Sequence, residues 1–474
     1  MSTHVIAVDV GTSAVRAVSI DAGGAVAAST HIRRTSGVGG ETFDAAALYR
    51  EVTGALAGVA DGPAPSALAI AAHIGTVAVG ADLEPVDVGG GWADARGTET
   101  LAAVGEATMR DILRASGRPA PTGGALAYLL GLDQERASSV RAVLSPKDFL
   151  VARLTGVLAA DTVDAAYTLA SDVRARTWNT AVLDRLGIAT SVLPPQTEPA
   201  SVVAELSAEA AAATGLPEGL PVVAGGPDGS VGIGLLLGTG EGVIADVAGT
   251  TDVMGRLLPS GAEAPEGAVL NPALLEGRLV AGGASGLTGG AVARWRGLVG
   301  TVADDRLVAV PPGSEGLLLV PTMTGARFPR WRRDSRGALL GQRPEHEAAH
   351  LVRAAQEAAA FTVREGLDLL DPSGGLPVVL AGGAVRSAQV ARLRADVFDR
   401  PVLLSPEPDV TLLGAAALAL VGCAAVADLD TARSRLIGRL REIEPDGTRS
   451  ERYARLYTLW REVRDVVEAC QVDP

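Results

Sequence analysis

The chain has 474 residues, 47% of them hydrophobic, which is enough for two or three domains with a large core. Its formal net charge of −14 argues against a nucleic-acid partner, because no basic segment offsets that charge. Two cysteines, Cys423 and Cys470, are too few for a disulfide framework or a cysteine-rich metal cluster. This cysteine usage predicts a reducing, cytoplasmic location.

An apolar strand pattern opens the chain and ends in a turn. The strand over residues 5–10 is interrupted by Asp9 and runs into Gly11-Thr12-Ser13. No basic region precedes it, so we predict no signal peptide. Glycine lets the backbone approach a bulky anion, and the hydroxyl and amide groups that follow can bind phosphate oxygens.

The same pattern returns over residues 243–253, with Gly249-Thr250-Thr251 as its turn. Two copies predict a duplicated fold in which two turns hold one nucleotide. Only the first copy has a carboxylate at this position of its strand, Asp9, which is suited to hold a metal ion, since Val247 occupies the matching position in the second. The repeat therefore predicts similar folds with different chemistry.

Strand and helix patterns alternate along the chain, which is typical of an α/β architecture. We place a domain boundary near Gly240, giving an N-terminal domain over 1–240 and a C-terminal domain over 241–474. In chain order we predict a hairpin turn at 21–24, a helix over 44–59, a strand over 67–72, helices over 102–114, 146–155 and 207–214, a strand over 221–224, and helices spanning 351–361 and 453–467.

Two segments argue against a membrane protein and against a P-loop nucleotide-binding protein. Residues 410–427 are uncharged and long enough to span a bilayer, but their small residues favour a buried helix, so we predict no membrane partner. The only lysine of the chain, Lys147, lies in Leu144-Ser145-Pro146-Lys147-Asp148. A P-loop needs its lysine inside a glycine-rich turn, so a P-loop is excluded.

The order of motifs resembles the FGGY family of carbohydrate kinases, of the sugar-kinase and actin-like ATPase superfamily, over nearly the whole chain. The motifs that carry the resemblance are Asp9-Val10-Gly11-Thr12, Trp92-Ala93-Asp94-Ala95-Arg96, the segment from Pro146 through Gly156 to Asp161 and Asp164, Gly225-Gly226-Pro227-Asp228, Ala381 to Ser387, and Leu413-Gly414-Ala415-Ala416.

The resemblance implies an α/β fold of two ribonuclease-H-like (actin-like ATPase) domains with an interdomain cleft. It implies an ATP-dependent carbohydrate kinase that transfers the γ-phosphate of Mg-ATP to a sugar hydroxyl. A ketopentose such as xylulose is the leading substrate, with gluconate, another ketose or a polyol as alternatives. The partners are a small-molecule sugar and ATP, and nothing in the sequence excludes a homodimer.

The resemblance also assigns roles to individual residues. Asp228 is the catalytic base that accepts the proton of the attacking hydroxyl, and Asp9 and Asp228 hold Mg²⁺, Asp9 through water. The sugar side comprises His73, Trp92, Asp94 and Asp228. The nucleotide side comprises Asp9, Gly11, Thr12, Ser13, Arg16, Gly249, Thr250, Thr251, Gly290, Gly382, Gly383 and Ser387.

Several of these residues have structural interpretations as well. His73 also fits a buried structural histidine, Arg16 a surface ion pair, and Trp92 and Asp94 a pocket wall. The chain departs from the family at Ile74, where a histidine is usual, and at Ala326, where an acidic residue is common. These departures leave the identity of the sugar open.

Two other functions fit parts of the sequence. His346-Glu347-Ala348-Ala349-His350 matches the H-E-x-x-H pattern of zinc peptidases, which needs both histidines on one helix face. No third ligand stands at the extended spacing, so we expect no zinc. A catalytically silent sugar or nucleotide sensor on the same fold is disfavoured by the presence of both Asp9 and Asp228.

Overall fold

A computed structural model describes residues 3–35, 40–259 and 261–470. The chain forms two compact units that are each discontinuous in sequence. The first unit consists of Met1–Thr239, Leu270–Leu279 and Val410–Gly438, and the second of Gly240–Val269, Val280–Asp409 and Arg439–Pro474. Mixed sheets with helices packed against them make this an α/β protein.

Up to residue 239 the strands are β1 His4–Val10, β2 Ala14–Asp21, β3 Val26–Arg33, β4 Thr42–Phe43, β5 Pro65–Ala72, β6 Val77–Val79, β7 Gly89–Gly90, β8 Ala142–Leu144, β9 Ala160–Asp161, β10 Ser171–Asp172, β11 Thr177–Trp178, β12 Gln196–Thr197, β13 Val202–Glu205 and β14 Pro221–Pro227. The helices are α1 Ala45–Ala57, α2 Thr98–Ala102, α3 Glu106–Ser116, α4 Ala125–Leu130, α5 Gln134–Ser139, α6 Pro146–Thr155, α7 Thr162–Tyr167, α8 Thr180–Arg185, α9 Ala208–Thr214 and α10 Asp228–Leu237.

From residue 240 the strands are β15 Ile244–Ala248, β16 Asp252–Leu257, β17 Val269–Pro272, β18 Leu279–Ala284, β19 Leu318–Val320, β20 Ala338–Leu340, β21 Val378–Ala381, β22 Val402–Leu404 and β23 Arg441–Ile443. The helices are α11 Thr288–Val299, α12 Asp304–Ala309, α13 Ala348–Leu370, α14 Ala388–Phe398, α15 Val410–Gly422, α16 Leu429–Leu436 and α17 Gly447–Ala469.

The first unit is built on a six-stranded sheet in the order β13-β14-β5-β1-β2-β3. Strands β1, β5 and β14 run parallel, with Val10 opposite Ala72 and Ala72 opposite Pro227. Residues 67–72 of β5 are buried throughout, as expected for a central strand covered on both faces. The carboxyl ends of these three strands therefore lie together at one edge of the sheet, where α/β proteins bind ligands.

The second unit repeats this plan. The strands of its main sheet that lie inside the unit have the order β18-β16-β15-β21-β22-β23. Strand β15 pairs antiparallel with β16 and parallel with β21, as β1 does with β2 and β5. The duplicated fold predicted from the two Gly-Thr turns is confirmed.

Local signals fix most of the helix ends. Helix α6 begins after Ser145, whose hydroxyl accepts the N–H of Asp148, and Pro146 occupies its first position. It ends at Gly156, whose φ of 77° suits glycine. The predicted helix over 146–155 is confirmed. The one predicted over 102–114 is instead two helices, α2 and α3, because the chain turns through Gly105 with φ 81°.

Helix α15 belongs to the first unit, although in sequence it follows most of the second unit, including the Gly249 turn. A Cβ on Gly414 would come within 2.5 Å of the Val231 side chain, so the small residue permits close packing of α15 on α10. The predicted buried helix is thus confirmed. Among the residues that the structure describes, no helix is both long and apolar enough to cross a membrane.

Candidate active site

Asp9 and Arg16 form an ion pair across the β1–β2 hairpin. They are direct register partners, and Arg16 donates from Nη2 at 2.5 Å and from Nε at 3.2 Å to Asp9 Oδ2. Asp9 is only 6% exposed, so its charge is shielded from water and compensated by the guanidinium. The structure places both predicted residues at the same end of the sheet.

Arg34 anchors the backbone of the first Gly-Thr turn, and no sequence motif identifies it. The Gly11 N–H donates to Ala14 O at 2.9 Å and closes the turn. The buried Arg34 donates from Nη1 to Gly11 O at 3.0 Å, and from its backbone N–H to Ser13 O at 2.9 Å. The side chains of Thr12 and Ser13 are exposed at the tip of the turn. The turn therefore presents its hydroxyls outward on a fixed backbone.

Asp228 lies where β14 ends and α10 begins. Gly225 has φ 75°, and a Cβ there would come within 2.0 Å of Ile70 O, so the approach to Asp228 needs a glycine. The Gly229 N–H donates to Asp228 Oδ1 at 2.7 Å. Burial and the charge of Asp9 raise the pKa of Asp228 to about 7, although the Gly229 hydrogen bond opposes them. A carboxyl with this pKa is suited to accept a proton near neutral pH.

His73 is buried at the end of β5 and both of its ring nitrogens have protein partners. Nδ1 lies 3.1 Å from Ile74 O and Nε2 lies 3.0 Å from Arg34 Nη1. Arginine has only donors, so Nε2 accepts and Nδ1 carries the proton. Burial and the Arg34 charge lower the pKa of His73 to about 4, which keeps the ring neutral. These contacts link His73 to the Gly11 turn through Arg34.

Trp92 and Asp94 occupy one loop but have different surroundings. Trp92 is 46% exposed, and its ring contacts Gly40. Asp94 binds Arg96 through both carboxylate oxygens, with Nε–Oδ1 at 3.0 Å and Nη2–Oδ2 at 2.8 Å. Arg96 also pairs with Asp87 at 3.0 Å and lies 4.9 Å from the centre of the Tyr128 ring. Asp94 is thus anchored in an ion-pair network.

Lys147 is fully buried among three aspartates. Its Nζ contacts Asp148, lies 2.7 Å from Asp161 Oδ2, and lies 3.8 Å from Asp164 Oδ2. Burial alone would lower the pKa of Lys147, but the carboxylates outweigh it and raise that pKa. Burial and the neighbouring carboxylates raise the pKa of Asp164. An ammonium ion therefore takes the place that a metal would need.

In the second unit, the Gly249 turn is also closed by a hydrogen bond from its glycine N–H, although over one residue fewer than the Gly11 turn. The Gly249 N–H donates to Thr251 O at 3.1 Å, and the Gly290 N–H donates to Thr250 O at 2.8 Å. A Cβ on Gly289 would come within 2.0 Å of Gly249 O. The structure thus brings Gly290, at the start of α11, against the turn.

The Gly382 loop approaches the same turn from β21. Gly382 has φ 110°, and a Cβ there would lie 2.3 Å from Ala248 O. Gly383 follows, and Ser387 is the residue before α14. Beside this loop lies a cavity of about 390 Å³, a volume in the range of small-molecule sites. Its lining includes Gly382, Arg386, Ser405 and Arg441.

A buried ion pair beneath the second turn was missed by the sequence analysis. Arg394 on α14 donates to Asp246 Oδ2 at 2.7 Å and to Asp252 Oδ1 at 2.5 Å. Burial and the charge of Asp252 raise the pKa of Asp246, against the effect of Arg394. The signal was present, because Asp246 and Asp252 flank the turn in otherwise apolar strands. No periodicity, however, identified Arg394 as their partner.

The H-E-x-x-H motif straddles a helix start and does not lie on one helix face. Glu347 precedes α13, and its side chain caps the helix together with His350. Nδ1 of His346 accepts the Arg343 N–H, and Nδ1 of His350 accepts the Glu347 N–H, both at 3.0 Å. Each neutral ring therefore carries its proton on Nε2, which cannot then bind zinc. Within residues 3–35, 40–259 and 261–470, the only group of three or more carboxylate, histidine or cysteine side chains close enough to share a metal is Asp148, Asp161 and Asp164.

The chain matches known proteins over most of its length. Residues 4–234 match the N-terminal domain of the FGGY family of carbohydrate kinases, and residues 236–423 match its C-terminal domain. Xylulose kinase of Lactococcus lactis is 25% identical over 388 residues, covering 78% of this chain and 77% of that protein.

Two solved structures share the fold over 99% of both chains at 23% identity and a TM-score of 0.88. They are a gluconate kinase and a ligand-bound xylulose kinase, both from Lactobacillus acidophilus. Since the two domain matches cover most of its length, the chain belongs to the FGGY family of carbohydrate kinases and is a phosphotransferase that acts on an alcohol group.

Proposed function

We propose that this kinase transfers the γ-phosphate of ATP to a ketopentose, with xylulose as the preferred substrate. The observation that carries the proposal is the pair Asp9 and Asp228 at the carboxyl edge of β1, β5 and β14. One carboxylate is compensated by Arg16, and the other has a pKa of about 7. Asp228 would accept the proton of the sugar hydroxyl as it attacks phosphorus.

The residues around this edge fit a magnesium ion. Mg²⁺ prefers oxygen ligands and retains several waters, and the two carboxylates supply oxygen donors only. Asp9 would hold the ion through water, together with Asp228. When bound, Mg²⁺ neutralises phosphate charge. Arg16 would add positive charge at the same place, and Gly11, Thr12 and Ser13 would bind phosphate through N–H and hydroxyl groups.

The second unit has its own candidate nucleotide-binding residues. Its turn Gly249-Thr250-Thr251 and the adjoining Gly290 would contact phosphate, by the same physical argument as the first turn. The Gly382-Gly383 backbone and Ser387 would face the nucleoside beside the 390 Å³ cavity. Xylulose is proposed as the substrate because several relatives that align with this chain are xylulose kinases.

A coupled ADP-release assay over xylulose, ribulose, fructose, gluconate, xylitol and erythritol tests the proposal. We expect the highest kcat/KM with xylulose. Asp228→Asn should reduce kcat by about 10²- to 10⁴-fold while nucleotide binding persists. Asp184→Asn, on helix α8, is the matched control and should keep full turnover. Phosphorylation of a polyol or gluconate in preference to every ketose would overturn the proposed substrate. Wild-type-like turnover by Asp228→Asn would overturn the assignment of Asp228 as the base.

Substitutions on the sugar side and on the nucleotide side of the site should affect different kinetic constants. Asp94→Ala and His73→Ala should raise the sugar KM or change sugar preference with little effect on the ATP KM, because phosphate contacts remain. Thr12→Val should weaken ATP use for every sugar alike. Steady-state kinetics with both substrates varied measures this. An unchanged sugar KM and preference in both variants would show that His73 and Asp94 do not act on the sugar.

A further inference from the structure

Arg118 is a buried cation that has no anionic partner among the residues the structure describes. Arg118 is 6% exposed and follows helix α3 in sequence. Its guanidinium donates from Nη1 to Leu270 O at 2.9 Å and to Ser116 O at 3.2 Å, and lies 4.6 Å from the centre of the Tyr167 ring. Across the described part of the chain, no carboxylate pairs with it. Burial lowers the pKa of Arg118 to about 10, so it remains charged at neutral pH.

A chain of hydrogen bonds leads from Arg118 to the helix that begins at Asp228. Arg118 Nη2 donates to Asn271 Oδ1 at 2.9 Å. Asn271 Nδ2 donates to the Tyr167 hydroxyl at 3.2 Å, and that hydroxyl lies 3.2 Å from Ser230 Oγ. Ser230 is in the first turn of α10, two residues after Asp228, and is partly exposed.

The charge of Arg118 sets the direction of every bond in this chain. A guanidinium only donates, so it holds Asn271 with its carbonyl oxygen inward and its NH₂ group toward Tyr167. The Tyr167 oxygen then accepts, and its own proton points at Ser230 Oγ. Ser230 Oγ accepts that proton, so its hydroxyl is left to donate outward. Buried hydrogen bonds in series polarise one another, which strengthens this direction.

We propose that Ser230 is a specificity-determining residue that donates a hydrogen bond to an acceptor oxygen of the sugar, a carbonyl or a carboxylate. Arg118, Asn271 and Tyr167 act as positioning residues that fix Ser230 as a donor. A substrate hydroxyl at this position could also accept, but it would then need its own acceptor. The site would therefore favour ketoses and aldonates over the matching polyols. This inference rests on the proposed function, in which the sugar is phosphorylated beside Asp228.

Asn271→Asp reverses the chain while keeping the shape of the side chain. The new carboxylate pairs with Arg118 and can only accept, so Tyr167 donates to it and Ser230 donates to Tyr167. Ser230 then presents lone pairs outward, which repel a carbonyl oxygen and accept from a hydroxyl. We expect the ratio of kcat/KM for xylulose to that for xylitol to fall at least about tenfold, the value of one hydrogen bond. The effect should lie mainly in KM.

Ser230→Ala and Tyr167→Phe complete the series. Ser230→Ala should raise the xylulose KM about tenfold with little change for xylitol. Tyr167→Phe keeps a ring against Arg118 but leaves the Ser230 hydroxyl free to rotate. Its xylulose-to-xylitol ratio of kcat/KM should therefore lie between the ratios of the wild type and of Asn271→Asp. Thermal unfolding of each variant checks that the fold is intact. A xylulose-to-xylitol ratio within twofold of wild type in a folded Asn271→Asp variant would overturn the inference.

A measurement without turnover separates this inference from the proposed function. Absence of phosphorylation of every sugar by the wild type would overturn the function alone. Neutron diffraction of the wild-type protein would then locate the Tyr167 hydroxyl deuterium. A deuterium on the line to Ser230 Oγ supports the direction of the chain, and one directed at Asn271 overturns it.

Discussion

The negative charge of Asp9 acts on Asp228, and with burial it raises the pKa of Asp228 to about 7. The two residues lie on β1 and at the end of β14, separated in the sheet by β5. Asp9 has Arg16 as a partner, whereas Asp228 receives one backbone hydrogen bond from Gly229. The same edge of the sheet thus holds one compensated carboxylate and one that binds a proton readily.

This difference predicts the pH dependence of the reaction. We expect kcat/KM to rise with pH through about 7, because Asp228 must lose its proton before it can act as a base. Asp9→Asn should shift the midpoint to lower pH, since a like charge is removed. The profile is measured from about pH 5 to about pH 9 in wild type and variant. A midpoint that does not move would show that burial alone sets the pKa.

The free energy of unfolding should fall as the pH rises, whereas kcat/KM should rise. The folded-state pKa of Asp228 is above that of an unfolded aspartate, about 3.9, so the folded state binds more protons between these values. The contribution of this group is therefore favourable below about pH 4 and is lost as pH rises through about 7. Asp228→Asn should raise the melting temperature at about pH 8 and leave it nearly unchanged at about pH 4. Equal shifts at both pH values would contradict this assignment.

Arg34→Ala should weaken ATP use equally for every sugar. The variant loses the bonds from Nη1 to Gly11 O and to His73 Nε2, so the phosphate turn loses its side-chain anchor. We expect the ATP KM to rise about tenfold, the value of one such hydrogen bond. The adjacent exposed Arg33→Ala is the control and should leave the ATP KM unchanged. A change confined to one sugar would indicate that Arg34 acts through the substrate instead.

Lys147→Met should destabilise the protein strongly. It removes the one cation among Asp148, Asp161 and Asp164 and leaves buried carboxylates without compensation. Loss of one partner from a buried ion pair costs about 3–5 kcal/mol. Arg153→Met on the same helix breaks a surface pair with Glu84 and should cost about 1 kcal/mol or less. Urea unfolding compares the two, and equal losses would contradict the predicted role of the cluster.

Zinc should be absent from the purified protein in stoichiometric amounts. His346 and His350 both use Nδ1 to accept backbone N–H groups at the start of α13, which leaves protonated Nε2 atoms. His350→Ala should therefore keep sugar phosphorylation, apart from a small loss of helix capping. Elemental analysis checks the metal. One zinc per chain, with peptidase activity that a chelator abolishes, would reverse this interpretation.

The sequence alone determined the repeated strand-turn pattern, the family and the chemical types of the site residues. Local signals suffice for these features. A Gly-Thr turn after an apolar strand specifies backbone geometry, and Ser145-Pro146 with Gly156 specifies both ends of α6. The residues proposed for the reaction, such as Asp9 and Asp228, were named because their motifs are contiguous in sequence.

Only the tertiary structure decided which distant residues support those motifs. Arg34 under the Gly11 turn, Arg394 under the Gly249 turn, and the chain from Arg118 to Ser230 join segments 23 to 153 positions apart. Such pairs have no periodicity, because each depends on how separate strands and helices are brought together. The physical reason is burial: a polar group taken out of water must find its partner wherever the fold places one.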